Sequence, residues 1–158
     1  MWQDEQFTNI AQKYMDMIFR VAFNYLKDRP EADDVTQEVL VKLYLSDKVF
    51  ASDEHLKNWL IRVTINCCKK VFLAPWRKTE PLQSYAKELA FATPEQSGLF
   101  EQIKGLPRNY RLAIYLYYFE GYSTEEIAAL LSRPKATIVT WLHRGRQQLK
   151  IKLLEEEQ

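Results

Sequence analysis

The side chains with the clearest chemistry are the cations between residues 133 and 152. This stretch has no Asp or Glu, and its positive residues are Arg133, Lys135, Arg144, Arg146, Lys150 and Lys152. Guanidinium and ammonium groups gathered in this way attract phosphates whatever the base sequence. Ile138, Leu142 and Leu149 recur among them at helical spacing. The stretch therefore predicts an amphipathic helix whose exposed side can bind a polyanion.

A short helix is predicted just before this basic helix. Gly121 ends the helix upstream of it, because the residue after a helix commonly adopts a left-handed backbone. Ser123 and Glu126 have the spacing of a capping box, and Pro134 suits the first turn of the basic helix. Two short helices, a tight turn and a basic second helix are typical of a helix-turn-helix DNA-binding unit. An αα-hairpin with a solvated basic face is the alternative.

Composition limits the class of protein. The 158 residues are 47% hydrophobic with four glycines, which favours an all-helical fold with one core or two small ones. The formal net charge is +1, so nucleic-acid binding must depend on local patches. Cys67 and Cys68 are adjacent and cannot form an ordinary disulfide on a helix, which fits a reducing cytoplasm. Without a nucleophile–base pair, metal set, phosphate loop, signal peptide or membrane span, we expect a cytoplasmic non-enzyme without cofactor.

Three helices are predicted in a first domain, residues 1–73. Apolar residues follow a helical period over Glu5–Leu26, and a second helix is expected over about Glu31–Leu45. The connection Ser46–Asp53 leads to a third helix, from His55 to about Leu73, which Ser52 or Asp53 can cap. The apolar faces of these helices would pack together as a small bundle.

Two polar helix faces in this domain are candidate binding surfaces. The second helix carries Asp34, Gln37, Glu38 and Lys42, a dense mixture that suits docking on a partner with Arg-rich helices. The third helix carries Asn58, Arg62, Asn66, Lys69 and Lys70 beside aromatic residues. Such a face suits a single nucleic-acid strand, because cations hold phosphates, amides contact base edges and rings stack. Solvated surfaces without a partner are the alternative for both.

Residues 74–97 have a different composition. They contain Pro75, Pro81 and Pro94 with mixed charge and only a weak helical pattern over Leu82–Phe91. This predicts a flexible linker with at most one short helix, followed by a second domain over residues 98–158. That domain would begin with a short helix over Leu99–Lys104.

Several motifs, taken in order, resemble the sigma-70 family of bacterial sigma factors, in its two-domain extracytoplasmic-function group. The motifs that resemble region 4 are Leu106-Pro107-x-x-Tyr110-Arg111, Tyr118–Ala128 and Thr137–Arg146. Those that resemble region 2 are Ala32–Glu38 with Lys42, and Leu56-x-x-Trp59-Leu60-Ile61-Arg62-x-x-x-Asn66. Together they cover both domains and leave only the linker and the tail outside.

The resemblance implies three sets of site residues. Core RNA polymerase would be bound by Asp33, Asp34, Gln37, Glu38 and Lys42. The melted strand of the -10 element would be held by Lys57, Asn58, Trp59, Arg62, Asn66, Lys69 and Lys70, with the 46–53 loop capturing an unstacked base. The -35 element would be contacted by Arg133, Lys135, Ala136, Thr137, Thr140, Trp141, Arg144 and Arg146. An anti-sigma factor is a further expected partner, without a small-molecule substrate or membrane insertion.

The chain also departs from this pattern in the basic helix. Val139 and Trp141 stand where relatives often carry Lys or Arg, and Gly145 replaces the more usual Ala. Glycine inside a helix costs about 1 kcal/mol relative to alanine. Two other classes stay open: a self-sufficient helix-turn-helix regulator, and a sigma-like interaction protein that does not direct initiation.

Overall fold

The computed structural model describes residues 2–75 and 94–156, and all regular structure in these ranges is α-helical. The chain divides into two compact units, Met1–Tyr85 and Ala86–Gln158. The predicted all-α fold with two small helical domains is confirmed. Most of the predicted linker, residues 76–93, lies outside the described residues.

Three mutually packed helices form the first unit: α1 (Asp4–Leu26), α2 (Arg29–Leu45) and α3 (Asp53–Phe72). Ile18 and Val21 of α1, Val39 and Leu43 of α2, and Leu60, Ile61 and Ile65 of α3 lie together in one core. These side chains are almost fully shielded from water, and this burial is the main favourable contribution to folding of the unit.

The caps of α2 and α3 explain why both begin two residues earlier than expected. The Asp28 carboxylate accepts the Glu31 N–H at 2.9 Å, with Pro30 in the first turn. The Ser52 hydroxyl accepts the His55 N–H at 3.1 Å. Each cap satisfies a backbone donor that the helix itself leaves free.

The second unit contains α4 (Pro94–Ile103), α5 (Arg108–Tyr118), α6 (Thr124–Leu131) and α7 (Lys135–Glu156). Its core is built from Phe100, Ile103, Leu112, Tyr115, Leu116, Ile127, Ile138 and Leu142. Arg111 is also buried, and its Nη1 donates to the Leu106 carbonyl at 2.8 Å. Burial lowers the pKa of Arg111 to about 10, so the guanidinium stays charged at neutral pH.

Two sequence expectations for this unit were wrong. The helix expected to start at Leu99 begins at Pro94, so it also includes residues 94–97. The prolines suggested a break, but proline is favourable in the first turn of a helix, where its missing N–H costs nothing. Leu149 of α7, predicted to be buried, is only half-buried.

The backbone signals around α6 are confirmed. Gly121 has φ +75°, and Ser123 and Glu126 form both hydrogen bonds of the capping box. Ser132 ends α6 with φ +55°, a left-handed conformation that non-glycine residues adopt infrequently. The tight turn that follows delivers the chain to α7.

Gly145 lies where α7 crosses α5. It is buried, and a Cβ atom at this position would lie 2.5 Å from Ile114 Cδ1 and 3.3 Å from Tyr110 Cβ. The absence of a side chain therefore lets the two helices approach closely. The sequence showed the helix-propensity cost of this glycine and gave no sign of its packing role.

Candidate nucleic-acid and partner interfaces

The exposed side of α2 carries all five predicted partner-binding residues. Asp33, Asp34 and Gln37 are exposed. Glu38 and Lys42 form an ion pair with each other, since their charged groups lie 3.9 Å apart. The outward face of α2 is therefore acidic at its start and charge-paired towards its end.

The Glu38 carboxylate also lies near the buried Cys67 thiol of α3. The pKa of this thiol is raised, mainly by burial and then by Glu38.

Two apolar residues that the sequence interpretation missed continue this face. Val41 is 55% exposed and Leu45 is 72% exposed. Val41 lies four residues after Gln37, and Leu45 lies four residues after Val41, which places them on the same side of the helix as Asp34 and Gln37. Val41 and Leu45 do not follow the helical period of the buried residues of α2. This mismatch was the signal in the sequence that could have identified them as exposed.

The predicted strand-binding residues of α3 separate into two groups. Arg62, Asn66, Lys69 and Lys70 are exposed and provide an amide and three cations. The other group lies nearer the start of the helix and is half-buried: Lys57, Asn58 and Trp59. The amide oxygen of Asn58 is shielded from water and has no hydrogen-bond partner within the described ranges.

The loop between α2 and α3 is attached to the start of α3 by its aromatic residue and its backbone. The ring of Phe50 lies edge-on to His55 at 5.3 Å and to Trp59 at 5.5 Å. The Ala51 N–H donates to His55 Nδ1 at 3.0 Å. The loop therefore has a defined position beside the half-buried part of α3.

A cavity of about 440 Å³ lies under this loop. Its wall is formed by Trp2, Gln6, Ile10, Ser46, Asp47, Lys48, Val49, Phe50, Ser52, Asp53 and Leu56. The Trp2 indole N–H donates to the Leu43 carbonyl at 2.8 Å, and Lys13 pairs with Asp53 at 3.3 Å. The wall combines apolar and aromatic side chains with polar and charged ones, and a site of this volume can hold a small ligand. Sequence interpretation identified the loop but missed Trp2 and Gln6.

The start of α7 presents the residues predicted to contact bases. Lys135, Ala136 and Thr140 are exposed, and Thr137 is half-buried. The Thr140 hydroxyl donates to the Ala136 carbonyl at 3.0 Å. Arg133 is exposed in the turn before α7. This end of the helix is therefore accessible to a large partner.

Lys135 has a partner that the sequence interpretation missed. Its Nζ lies 2.6 Å from Oε1 of Glu125, which is in the first turn of α6. The hydrogen bond from Lys135 is the main cause that lowers the pKa of Glu125 to about 2. Ten residues separate the two in sequence, and only the turn between α6 and α7 brings them together.

The two arginines further along α7 have different surroundings. Arg144 is exposed. The Nε of Arg146 donates to the Tyr118 hydroxyl at 2.7 Å, and its guanidinium lies 5.5 Å from the ring centres of Tyr117 and Tyr118. Two residues along a helix differ by about 200° in direction. Arg144 is therefore free to face a separate partner, whereas Arg146 contacts α5. Trp141 lies in α7 between Lys135 and Arg144 and is half-buried.

Two further kinds of site concern metal ions and membranes. Within residues 2–75 and 94–156, no group of three or more His, Cys, Asp or Glu side chains could hold a metal ion. No helix in the described part of the chain has the length and apolar character needed to cross a membrane.

Comparison with known proteins identifies families that match both units. The model for "Sigma-70 region 2" matches residues 10–78, and that for "Sigma-70, region 4" matches residues 99–149. The ECF RNA polymerase sigma factor SigW of Bacillus subtilis is 30% identical over 94% of this chain and 89% of its own length. The RNA polymerase sigma-H factor of Pseudomonas aeruginosa is 28% identical over 90% of this chain and 83% of its own length.

Two solved structures share the fold. CnrH in complex with the cytosolic domain of CnrY has a TM-score of 0.68 at 20% identity and covers 99% of this chain and 92% of its own. The sigma factor RpoE in complex with the anti-sigma factor NepR, from Bartonella quintana, also has a TM-score of 0.68 at 20% identity. The alignment with RpoE covers 96% of this chain and 98% of that chain.

Proposed function

The chain belongs to the sigma-70 family of RNA polymerase sigma factors, in its extracytoplasmic-function group, and we propose how its exposed faces serve promoter-directed initiation. The carrying observation is that regions 2 and 4 match in order on two separate compact units, each with an exposed polar or basic helix face. The polymerase performs the chemistry, and this chain selects the promoter and assists its melting.

The α2 face is the proposed docking surface for core polymerase. Its exposed acids and amide, Asp33, Asp34 and Gln37, suit basic helices of the polymerase. Val41 and Leu45 would add apolar area that is shielded on binding. Interfaces commonly combine a buried apolar part with a polar rim, and this helix face supplies both.

The cavity and the basic face of α3 are proposed to hold the melted -10 strand. An unstacked base would enter the cavity under the 46–53 loop, while Arg62, Lys69 and Lys70 contact the backbone of the strand. Extruding a base costs a few kcal/mol, and less when the strand is already opening. The contacts of Phe50 and Ala51 with α3 fix the loop beforehand, which lowers the entropy cost of binding.

The α7 helix is proposed to contact the -35 element. In helix-turn-helix proteins the N-terminal end of the second helix contacts base edges. Here that end carries the exposed residues Lys135, Ala136 and Thr140. Arg144 lies more than two turns further on, where a cation would contact a backbone phosphate without regard to sequence. Arg133 and Trp141 would contribute flanking contacts to DNA.

We also propose an anti-sigma factor as a regulatory partner. The supporting observation is that the RpoE structure, which shares this fold, is a complex with the anti-sigma factor NepR. An inhibitor of this kind would act by covering surfaces that the polymerase or the promoter needs.

Run-off transcription with core RNA polymerase tests the proposed function. Templates should come from a pool of randomised duplexes selected with the assembled holoenzyme. We expect specific transcripts only when both core enzyme and this chain are present. Tight, specific binding by the free chain without any effect on the polymerase would favour a self-sufficient regulator. Binding to core enzyme without initiation would favour an interaction protein.

A further inference from the structure

We propose that Glu125 determines specificity in the -35 contact by holding the Lys135 ammonium group, so that this cation engages a base edge instead of any backbone phosphate. The proposal rests on the proposed role of α7 and adds to it a residue of α6. Sequence motifs suggested Lys135 as a DNA contact and assigned no role to Glu125 beyond its place in the motif.

The geometry fixes both oxygens of the Glu125 carboxylate. Oε1 accepts from Lys135 Nζ at 2.6 Å, and Oε2 accepts from the Thr124 hydroxyl at 3.2 Å. Lys135 is the first residue of α7, and Glu125 is the second residue of α6. The side chains are 57% and 63% exposed, respectively, so the pair is accessible to a ligand on this side of the unit.

A lysine without a partner binds phosphates on every DNA sequence, because that attraction depends on charge alone. A lysine held by a carboxylate behaves differently. To contact a phosphate it must leave the carboxylate or bring that negative charge towards the phosphate backbone. A guanine edge offers O6 and N7 as acceptors without a full negative charge nearby. The pair therefore disfavours phosphate contacts more than base contacts.

Glu125→Gln isolates this effect because glutamine keeps the shape of the side chain and removes its charge. Affinity should be measured for the holoenzyme, over a series of salt concentrations, on a duplex selected from a randomised pool and on the same duplex with its -35 element scrambled. We expect three- to fivefold tighter binding to the scrambled duplex, given the small strength of an exposed ion pair. The salt dependence should steepen by about one phosphate contact, and the preference for the selected duplex should fall.

Glu101→Gln is the matched control. Glu101 is in α4 and pairs with Lys104 at 3.0 Å, so this change also removes one charge and one ion pair from the same unit. It should alter neither the preference nor the salt dependence. In a Lys135→Ala background, Glu125→Gln should have no further effect, because the cation that it controls is gone.

Three outcomes would overturn the proposal. If Glu125→Gln still tightens binding in the Lys135→Ala background, the carboxylate simply repels DNA. If the wild-type holoenzyme prefers the selected duplex and Glu125→Gln leaves that preference unchanged, the pair has no role in specificity. A wild-type holoenzyme that does not distinguish the two duplexes would overturn the -35 assignment of α7, and this proposal with it. Circular dichroism of each variant checks that the helices remain folded.

Discussion

Replacing Gly145 with alanine should destabilise the second unit by forcing α7 away from α5. The new Cβ would lie 2.5 Å from Ile114 Cδ1, so Ile114 must move within a core where it is only 1% exposed. Overpacking of this kind costs about 1–3 kcal/mol. Alanine also recovers about 1 kcal/mol of helix propensity. The free energy of unfolding should therefore fall by about 0–2 kcal/mol relative to wild type.

Shortening the opposing side chain should relieve this conflict. Ile114→Val removes the Cδ1 atom and alone should cost about 0.5–1.5 kcal/mol. In the double variant the 2.5 Å contact of the Cβ of residue 145 is removed and only contacts of 3.3 Å remain. The helix-propensity gain persists, and stability should return to within about 0.5 kcal/mol of wild type. The coupling between the two changes should thus be about 1–3 kcal/mol in the favourable direction.

Hydrogen exchange of the α5 and α7 amides in the full chain measures the free energy of opening of this unit. Gly98→Ala in α4 is the control. Apart from its chain neighbours and its own helix backbone, no atom of the described residues lies within 4 Å of the added Cβ, so only the helix-propensity gain of about 1 kcal/mol should appear. The reasoning is refuted if Gly145→Ala stabilises the unit as much as Gly98→Ala does. Additive effects of the Gly145 and Ile114 changes would refute it equally.

Three further changes test the proposed sites. Replacing Asp34 and Gln37 together with alanine should weaken binding to core polymerase and leave the circular dichroism unchanged, because both side chains are exposed. Arg144→Ala should weaken holoenzyme binding to selected and scrambled -35 duplexes about equally and reduce the salt dependence by about one phosphate contact; a changed base preference would contradict this. By NMR titration, the Glu125 carboxyl should have a pKa of about 2, and Lys135→Ala should return it towards its ordinary value. Because folding lowers the pKa of Glu125, the ion pair stabilises the fold at pH values above the ordinary carboxyl pKa. This stabilisation is lost as the pH falls towards about 2. An unshifted pKa of Glu125 in the wild type would show that the ion pair does not form in solution.

The sequence by itself determined the order of the helices, although not all of their ends, and much of the exposed faces of α2 and α3. Helical periodicity and capping depend on residues three or four positions apart, so they can be inferred without the tertiary structure. The capping box at Ser123 and the left-handed backbone of Gly121 were both predicted on this basis and are confirmed. The motifs also supplied the family, because their order along the chain is a property of sequence alone.

The tertiary structure alone decided which side chains from different elements meet. Trp2 reaches the carbonyl of Leu43 across 41 residues and lines the cavity with the distant 46–53 loop. Glu125 meets Lys135 only after the turn between α6 and α7 has formed. Packing of α7 against α5 gives Gly145 its role and places Arg146 over the tyrosines of α5. These contacts depend on how helices pack in three dimensions, and no short-range pattern of residues encodes that packing.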